Sequence, residues 1–419
     1  EELSAALTLR YFSKKAYNYL AKDLKYPLPS IATLKRYAKR LNIKEGILDD
    51  VLKVVGNITK TFTRRDRECV LSFDEMKVSK ILVYDPVSDE VIGPYNYLQV
   101  VMARGLFKNW KQPVFIGFDQ KMTKDIIMTI IAKLAEHNIN VTAIVSDNCQ
   151  ANIGCWKELG AYDHKQPYFT HPTNEGKIFV CPDAPHLLKL TRNDSLIMVL
   201  YGFNYKGKII NVDLLFEMLS KRNEAEMTPL FKLADSHLIM TPQQRQNVRS
   251  AAELLSRTTS VALRRYYPEN ENARRLADLI EKIDLWFSVS NTYTPTAKLD
   301  YKKSYTGRYD QLNALMDMFE FTSNMVPCGK NKIQVFQKSI LMQINSLQML
   351  FDEMKSKYGQ KVKFISTHKL NQDVLEIFFS QLRQKGGVYD HPSPLSCIYR
   401  IRFMILGKSP TILRNQTDV

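Results

Sequence analysis

The feature that most constrains the fold is a continuous apolar run, VTAIV, at residues 141–145. A strand with one face in water alternates apolar and polar residues, whereas a strand covered on both faces reads as an unbroken apolar run. A helical pattern at residues 123–136 comes directly before this run. We therefore expect a strand that is covered on both faces, within an α/β fold.

Further strand patterns lie upstream of this run, separated by turn sequences such as Asp85-Pro86 and Gly93-Pro94. Their order predicts an antiparallel meander, then one helix, then the buried strand. A later strand is predicted at 177–180, followed by a helix through Arg192. The predicted strands of the meander are residues 70–73, 80–84, 97–102 and 114–117.

From about residue 195 to 365 the apolar positions recur with helical spacing, and strand signals are few. We interpret residues 195–365 as a mostly α-helical insertion that divides the core into residues 67–194 and 366–419. A helix at 371–384 opens the second part, and Gly386-Gly387 stand where a C-cap is expected. The helices predicted within the insertion include residues 212–220, 243–256, 271–287 and 332–358.

Residues 1–66 are predicted to be helical, with helices at about 3–24, 31–41 and 45–61. Prolines at 27 and 29 break the first helix, and Ser30 can cap the second. The second helix carries basic residues beside an apolar face, which suits a helix-turn-helix that docks on DNA. A small helical bundle with a solvated basic face explains the pattern equally well. The basic residues are Lys35, Arg36, Lys39 and Arg40.

The 419 residues carry a formal net charge of +16, which attracts polyanions. We therefore expect DNA or RNA as the partner first, although many soluble proteins are basic and bind no nucleic acid. No apolar stretch is long enough to span a membrane, and no signal peptide is recognised, so we expect a soluble intracellular protein. Because the sequence starts without Met, we also expect it to be part of a longer chain.

The six cysteines form no CxxC pair, which favours a reducing compartment. A zinc site could be drawn from Cys149, Cys155, His164 and His171, but these spacings match no common ligand pattern. We expect these four side chains to belong to the core or to loops.

Three carboxylates stand at positions that suit metal-dependent phosphodiester chemistry. Asp74 is predicted to close the first strand, Asp147 follows the buried strand, and Glu376 lies on the late helix at the edge of the core. The apolar stripe of that helix is predicted to be Val374, Ile377, Phe378 and Leu382. If the two strands are neighbours, as in an RNase H-like sheet, the carboxylates can hold two Mg²⁺ ions for an in-line displacement.

The three acids could also have a purely structural role. An acidic residue at a strand end is usually a turn or cap residue, and among 43 Asp and Glu residues some triad can always be drawn. The residues alone leave the choice open.

Several ordered segments strongly resemble the P-element transposases and their THAP-domain relatives in animals. The resemblance runs from about residue 5 to 406. It implies a cut-and-paste DNA transposase of the DDE type, with an RNase H-like core interrupted by a helical insertion and dependent on Mg²⁺ or Mn²⁺. The segments are FDE (73–75), NWKQPVF (109–115), IVSD (144–147), WKELG (156–160), PHLLKL (185–190) and LNQD (370–373).

The family's catalytic and metal-binding acids match Asp74, Asp147 and Glu376. Asp183 and His186 resemble the DxxH element of related insertion-bearing transposases, and Asn148 is assigned with them to a supporting role. A capped helix start is the simpler account of Asp183 and His186.

In this family the insertion binds GTP through a segment that resembles Asn-Lys-x-Asp. Here the aligned stretch runs from Asn223 to Glu226, so the Lys is lost and the final Asp becomes Glu. Lys232, Val248 and Asp373 still match positions of the family's nucleotide site, but the chain has no phosphate-loop motif. The resemblance therefore implies a GTP site that this sequence has altered.

The family's N-terminal zinc-binding cluster is absent from this sequence. The resemblance implies action in the nucleus on transposon ends and target DNA, by a homodimer or higher homo-oligomer. It also implies that residues 1–66 form a DNA-binding and dimerisation segment. Two alternatives stay open: a domesticated protein that binds DNA without cutting it, and a guanine-nucleotide switch.

Overall fold

The computed structural model describes residues 2–86, 89–197, 203–210, 213–220, 230, 233–327, 332–384 and 391–408. Its elements up to residue 197 are α1 (Glu2–Phe12), α2 (Lys14–Asn18), α3 (Ile31–Ala38), β1 (Gly46–Ile47), α4 (Asp49–Thr59), β2 (Glu68–Lys77), β3 (Val83–Asp85), β4 (Glu90–Ile92), β5 (Tyr97–Gly105), β6 (Lys111–Phe118), α5 (Lys124–Glu136), β7 (Asn140–Ser146), α6 (Gln150–Glu158), β8 (Tyr168–Thr170), β9 (Lys177–Pro182) and α7 (Ala184–Ile197).

The later elements are β10 (Phe203–Tyr205), β11 (Lys208–Ile210), α8 (Asp213–Ser220), α9 (Val248–Leu254), α10 (Arg257–Tyr266), α11 (Glu271–Ser290), α12 (Tyr309–Asn324), β12 (Met325–Pro327), α13 (Val335–Tyr358), α14 (Asp373–Gln384) and α15 (Pro394–Lys408). A π-helical turn follows α2 at Tyr19–Asp23, and short 3-10 turns join several of the others.

The main sheet has seven strands in the order β1-β6-β5-β2-β7-β9-β8. Antiparallel pairs join β1 to β6, β6 to β5, and β5 to β2. β7 and β9 run parallel, with Ala143 opposite Phe179. The apolar run predicted at residues 141–145 lies in β7, where Val141 to Ser146 are all buried, so that prediction is confirmed.

Spatial contacts divide the chain into two units. The first comprises residues 1–142, 170–176 and 372–419, and the second comprises residues 143–169 and 177–371, so the division falls within β7. In the first unit, α14 packs on β2 and β5, α4 packs on β6, and α1 packs on α15. The domain boundaries expected from the sequence stay predictions, because they follow chain order whereas these units follow spatial contact.

The second unit is built around the long helix α13, which packs on β9 and on α12. Ser346 on α13 donates a hydrogen bond to the carbonyl of Val180 (2.5 Å), and both groups are buried. Trp286 on α11 donates its indole N–H to Gln343 Oε1 of α13 (2.9 Å). These bonds satisfy polar groups that would otherwise be costly inside an apolar core.

Residues 1–66 differ from the predicted three helices in two places. The first helix ends at Phe12, and Ser13 caps α2 by accepting a hydrogen bond from the backbone N–H of Ala16. The helix predicted from residue 45 begins only at Asp49, because Gly46–Ile47 form β1 and pair with β6 at the sheet edge. Two residues are too short a strand to leave a periodic signal in the sequence.

The prediction that residues 80–84 form a strand of the meander was wrong. Only Val83–Asp85 are extended there, and they pair with β4 in a separate two-stranded sheet. Ile81 and Leu82 are exposed, so their apolar character does not mark a core strand. The other predicted strands correspond to β2, β5, β6 and β9.

The insertion is mostly helical, as predicted, but it also contains the three-stranded sheet β11-β10-β12. The helix predicted at residues 243–256 is shorter, because Asn247 is extended and caps α9 through a hydrogen bond from the N–H of Ser250. The predicted C-cap at Gly386-Gly387 lies outside the described residues. In the described part of the chain, no helix has the length and apolar content needed to cross a membrane.

Candidate active site

Asp74 lies within β2 rather than at its end, so the prediction that it closes the strand was wrong. The antiparallel ladder with β5 continues past it and pairs Glu75 with Gln99 and Lys77 with Tyr97. Buried Met76 alternates with exposed Glu75 and Lys77, which is the period-2 pattern of a half-buried strand. Asp74 itself is half-buried at the point where this pattern begins.

The backbone around Asp74 is held by two glutamine amides. Gln99 of β5 donates to the carbonyl of Asp74 (3.0 Å), and buried Gln372 donates to the carbonyl of Phe73 (2.8 Å). The Oδ1 atom of Asp74 accepts the backbone N–H of Glu75 (2.8 Å). Sequence reasoning missed both glutamines as positioning residues, although Gln372 lies in the LNQD segment.

Glu376 stands in the first turn of α14, where an acidic side chain complements the helix dipole. The carbonyl of Gln372 accepts the N–H groups of Leu375 (2.8 Å) and Glu376 (3.1 Å), so the same residue that binds β2 also starts this helix. Glu376 is exposed.

The residues that α14 buries are nearly those predicted for its apolar face. Val374, Phe378 and Leu382 are buried, as predicted. Ile377 is 50% exposed, so its place in the buried stripe was wrong, and Leu375 and Phe379 are buried instead. The buried face is therefore turned slightly around the helix axis from the predicted one.

In the second unit, Asp147 directly follows β7 at the carboxyl end of the parallel pair with β9. Its Oδ1 atom accepts two N–H donors, the backbone of Cys149 (3.1 Å) and the side chain of Asn152 (2.7 Å). The Cys149 thiol also hydrogen-bonds to this carboxylate. The turn thus fixes Oδ1 through two N–H donors.

Asp183 and His186 form a capped helix start, the simpler of the two accounts. Asp183 is buried, its N–H donates to the carbonyl of Ser146 (3.0 Å), and its Oδ2 accepts the N–H of His186 (2.8 Å) at the start of α7. Burial, with a smaller contribution from Lys189, lowers the pKa of the His186 imidazole to about 4, and the charge of Asp147 opposes this shift. The ring is therefore neutral near pH 7.

Asn148 follows Asp147 and has an unusual environment. Both polar atoms of its side-chain amide are buried, and neither has a hydrogen-bond partner among the residues that the structure describes. Most buried amides are paired, because an unpaired one loses its bonds to water without replacement.

The three acids supply the oxygen ligands that Mg²⁺ and Mn²⁺ prefer, so the donor set fits such an ion. In the described part of the chain no group of three His, Cys, Asp or Glu side chains is gathered as a metal site. The cysteine and histidine set considered for zinc forms no cluster within the described residues either.

The four basic residues predicted to contact DNA lie at the end of α3 and just beyond it, and all four are exposed. Arg40 stacks over the ring of Tyr37 at 4.6 Å. Leu34 and Leu41 are buried beneath them. Contact with DNA stays a prediction.

Most of the residues predicted to bind GTP, namely Asn223, Glu226 and Lys232, lie outside the described residues. Val248 begins α9 and Asp373 begins α14, and both are half-buried. The GTP site therefore stays a prediction.

Comparison with known proteins gives the same family as the sequence segments. Residues 43–160 match the model of the TNP-like RNase H N-terminal domain, and residues 368–395 match its C-terminal counterpart. A solved structure, "Drosophila P element transposase strand transfer complex", shares 35% identity over 98% of this chain and 92% of its own, with a TM-score of 0.91. The chain belongs to the P-element transposase family.

Two curated family members give the extent of the match. "Transposable element P transposase" of Drosophila melanogaster is 35% identical over 412 residues, which are 97% of this chain and 54% of that protein. "DNA transposase THAP9" of Homo sapiens is 22% identical over 90% of this chain and 45% of its own length. The chain thus spans about half the length of these relatives. The RNase H-like α/β fold with a helical insertion is confirmed.

Proposed function

We propose that this chain catalyses metal-dependent cleavage of DNA at transposon ends and transfer of the cut strand into target DNA. Family membership supports this activity. The observation that carries the chemistry is the position of Asp147, a carboxylate that directly follows a parallel strand and has its Oδ1 atom fixed by two N–H donors. The carboxyl ends of parallel strands are where α/β proteins place their ligands.

We propose Asp74, Asp147 and Glu376 as the ligands of Mg²⁺ or Mn²⁺, which makes the enzyme a DDE-type transposase. Two such ions, when bound, lower the pKa of the attacking hydroxyl and neutralise charge on the leaving oxygen. The protein positions the acids through the Gln372 and Gln99 bonds to β2 and through the Asn152 bond to Asp147. Asp183 and His186 would support the site from the start of α7.

Cleavage and joining are the same displacement at phosphorus with different nucleophiles. In cleavage, the oxygen of water forms the new P–O bond, the bond to the 3′ oxygen breaks, and the 3′ oxygen leaves as a hydroxyl. In joining, that 3′-hydroxyl attacks a target phosphodiester, and the target's own 3′ oxygen leaves and takes up a proton. The proton of each nucleophile passes to solvent.

DNA is the proposed partner, both as transposon ends and as target. The +16 charge supports this, together with the exposed basic residues of α3. We propose action in the nucleus as a homodimer or higher homo-oligomer, since two transposon ends must be handled together. GTP use stays a prediction for the altered Asn223–Glu226 stretch.

The test is joining of pre-cut transposon-end DNA into a plasmid with Mg²⁺ or Mn²⁺, with and without GTP. Asp74→Asn and Glu376→Gln should each abolish joining, because an amide is a far poorer cation ligand than a carboxylate. Glu75→Gln is the matched control, since it changes an exposed acid next to Asp74 and should leave joining intact.

Tight DNA binding without joining by the unaltered chain would favour the domesticated DNA-binding protein. Full joining by either triad variant would remove that acid from the proposed ligand set.

A further inference from the structure

Two asparagines, Asn148 and Asn152, follow Asp147, and only one of them has a side-chain amide that is hydrogen-bonded. Asn152 donates to Asp147 Oδ1 at 2.7 Å and approaches the carbonyl of Asp147 at 3.4 Å. Asn148 has a buried carbonyl oxygen and a buried NH₂ group, and within the described part of the chain neither is paired. Asn152 therefore holds the turn, whereas Asn148 has no role in holding it.

An unpaired buried amide is unfavourable unless a partner arrives at some stage of function. Oδ1 needs a hydrogen-bond donor, and Nδ2 needs an acceptor. An O–H group close to a phosphate oxygen supplies both. In the proposed reaction the nucleophile, water or the 3′-hydroxyl of DNA, is an O–H group that approaches a phosphodiester.

The position of Asn148 fits such a contact. It follows Asp147 directly, at the carboxyl end of the parallel strands β7 and β9. The structural needs of this loop are met by other groups, since the N–H of Cys149 and the amide of Asn152 bind Asp147. Asn148 is half-buried as a residue, so its side chain is near the surface although its polar atoms are covered.

We propose that Asn148 is a positioning residue for the attacking hydroxyl. When a DNA end binds, the amide turns toward it, Oδ1 accepts the O–H of the nucleophile, and Nδ2 donates to a neighbouring phosphate oxygen. This fixes the direction of the oxygen lone pair toward phosphorus. The inference rests on the proposed function, and it adds a hydrogen-bonding residue to the three proposed metal ligands.

The decisive comparison is Asn148→Leu with Asn152→Leu in the full chain, measured first by thermal unfolding without DNA or metal. Leucine matches asparagine in shape and removes the polar groups. Asn148→Leu should leave Tm unchanged or raise it by about 1–3 °C, because an unsatisfied amide is lost. Asn152→Leu should lower Tm, because Asp147 loses a donor.

The second measurement is joining of pre-cut end DNA, with the rate at saturating DNA separated from the Kd for the DNA end. Asn148→Leu should lower the saturated rate by at least about tenfold, since a misplaced nucleophile reacts slowly. The Kd should change by less than about threefold, because phosphate contacts elsewhere supply most of the affinity.

Three results would overturn the proposed role of Asn148. An unchanged joining rate in Asn148→Leu, with an active unaltered chain, would overturn the inference alone. A drop in Tm as large as that of Asn152→Leu would show a structural role and also overturn it. An unaltered chain that joins no DNA would overturn the proposed function and, with it, this inference.

Discussion

Gln372 connects the two first-unit elements that carry proposed metal ligands. Its amide bonds β2 beside Asp74, and its carbonyl begins the helix that carries Glu376. Gln372→Ala removes the donor and leaves the buried carbonyl of Phe73 less well satisfied. We expect a loss of about 1–3 kcal/mol in the free energy of unfolding, measured with urea, and a lower joining rate.

The control at this scale is Gln384→Ala. Gln384 ends the same helix and, within the described residues, its side chain donates to the exposed hydroxyl of Ser380 alone (3.3 Å). Its loss should change stability by less than about 0.5 kcal/mol. Equal effects of the two substitutions would show that the Gln372 bond to β2 contributes nothing specific.

At the scale of elements, the contact between α1 and α15 depends on a glycine. A Cβ atom at Gly407 would overlap the Cβ and ring atoms of Tyr11, whereas a Cβ at Gly154 in α6 would meet no neighbouring atom. Gly407→Ala should therefore destabilise the protein by about 1–3 kcal/mol through overpacking. Gly154→Ala should stabilise it by about 0.5–1 kcal/mol, because alanine favours the helix.

Thermal unfolding of both variants tests the two expected changes in stability. The substitution is the same in each variant, and only the surroundings of the glycine differ. A stabilising Gly407→Ala would mean that the two helices can separate without loss.

Helices and strands could be predicted from the sequence wherever one periodic pattern extended over many residues. The apolar run of β7 and the helices α5, α11 and α13 left clear signals, because each has many residues of one period. The two residues of β1 and the three-residue strands β10 to β12 left none, since pairing with distant strands decides them. The departure of Asp74 from its predicted strand end has the same cause, because β5 extends the ladder.

At the scale of the whole molecule, the +16 charge predicts DNA affinity that falls steeply with salt. Replacing Lys35, Arg36, Lys39 and Arg40 with Ala should weaken binding and reduce the slope of log affinity against log salt by about one for each lost phosphate contact. Fluorescence anisotropy of a labelled transposon end over 50–200 mM KCl, about the range in which such slopes are resolved, measures both effects.

The matched control replaces four other exposed lysines, two of which already bond to polar neighbours, Lys53 to Asp50 and Lys60 to Asn57. Equal slopes for the two quadruple variants would show that the α3 face is only a solvated basic surface. The control lysines are Lys53, Lys60, Lys121 and Lys124.

The bond from Gln372 to Phe73 joins residues 299 positions apart. On a ribosome that adds about 5–20 residues per second, β2 emerges about 15–60 s before the helix that must cover it. During that time the nascent chain exposes an apolar sheet face that a chaperone can shield. It also lacks Glu376, so the three proposed metal ligands are all present only after α14 has been made.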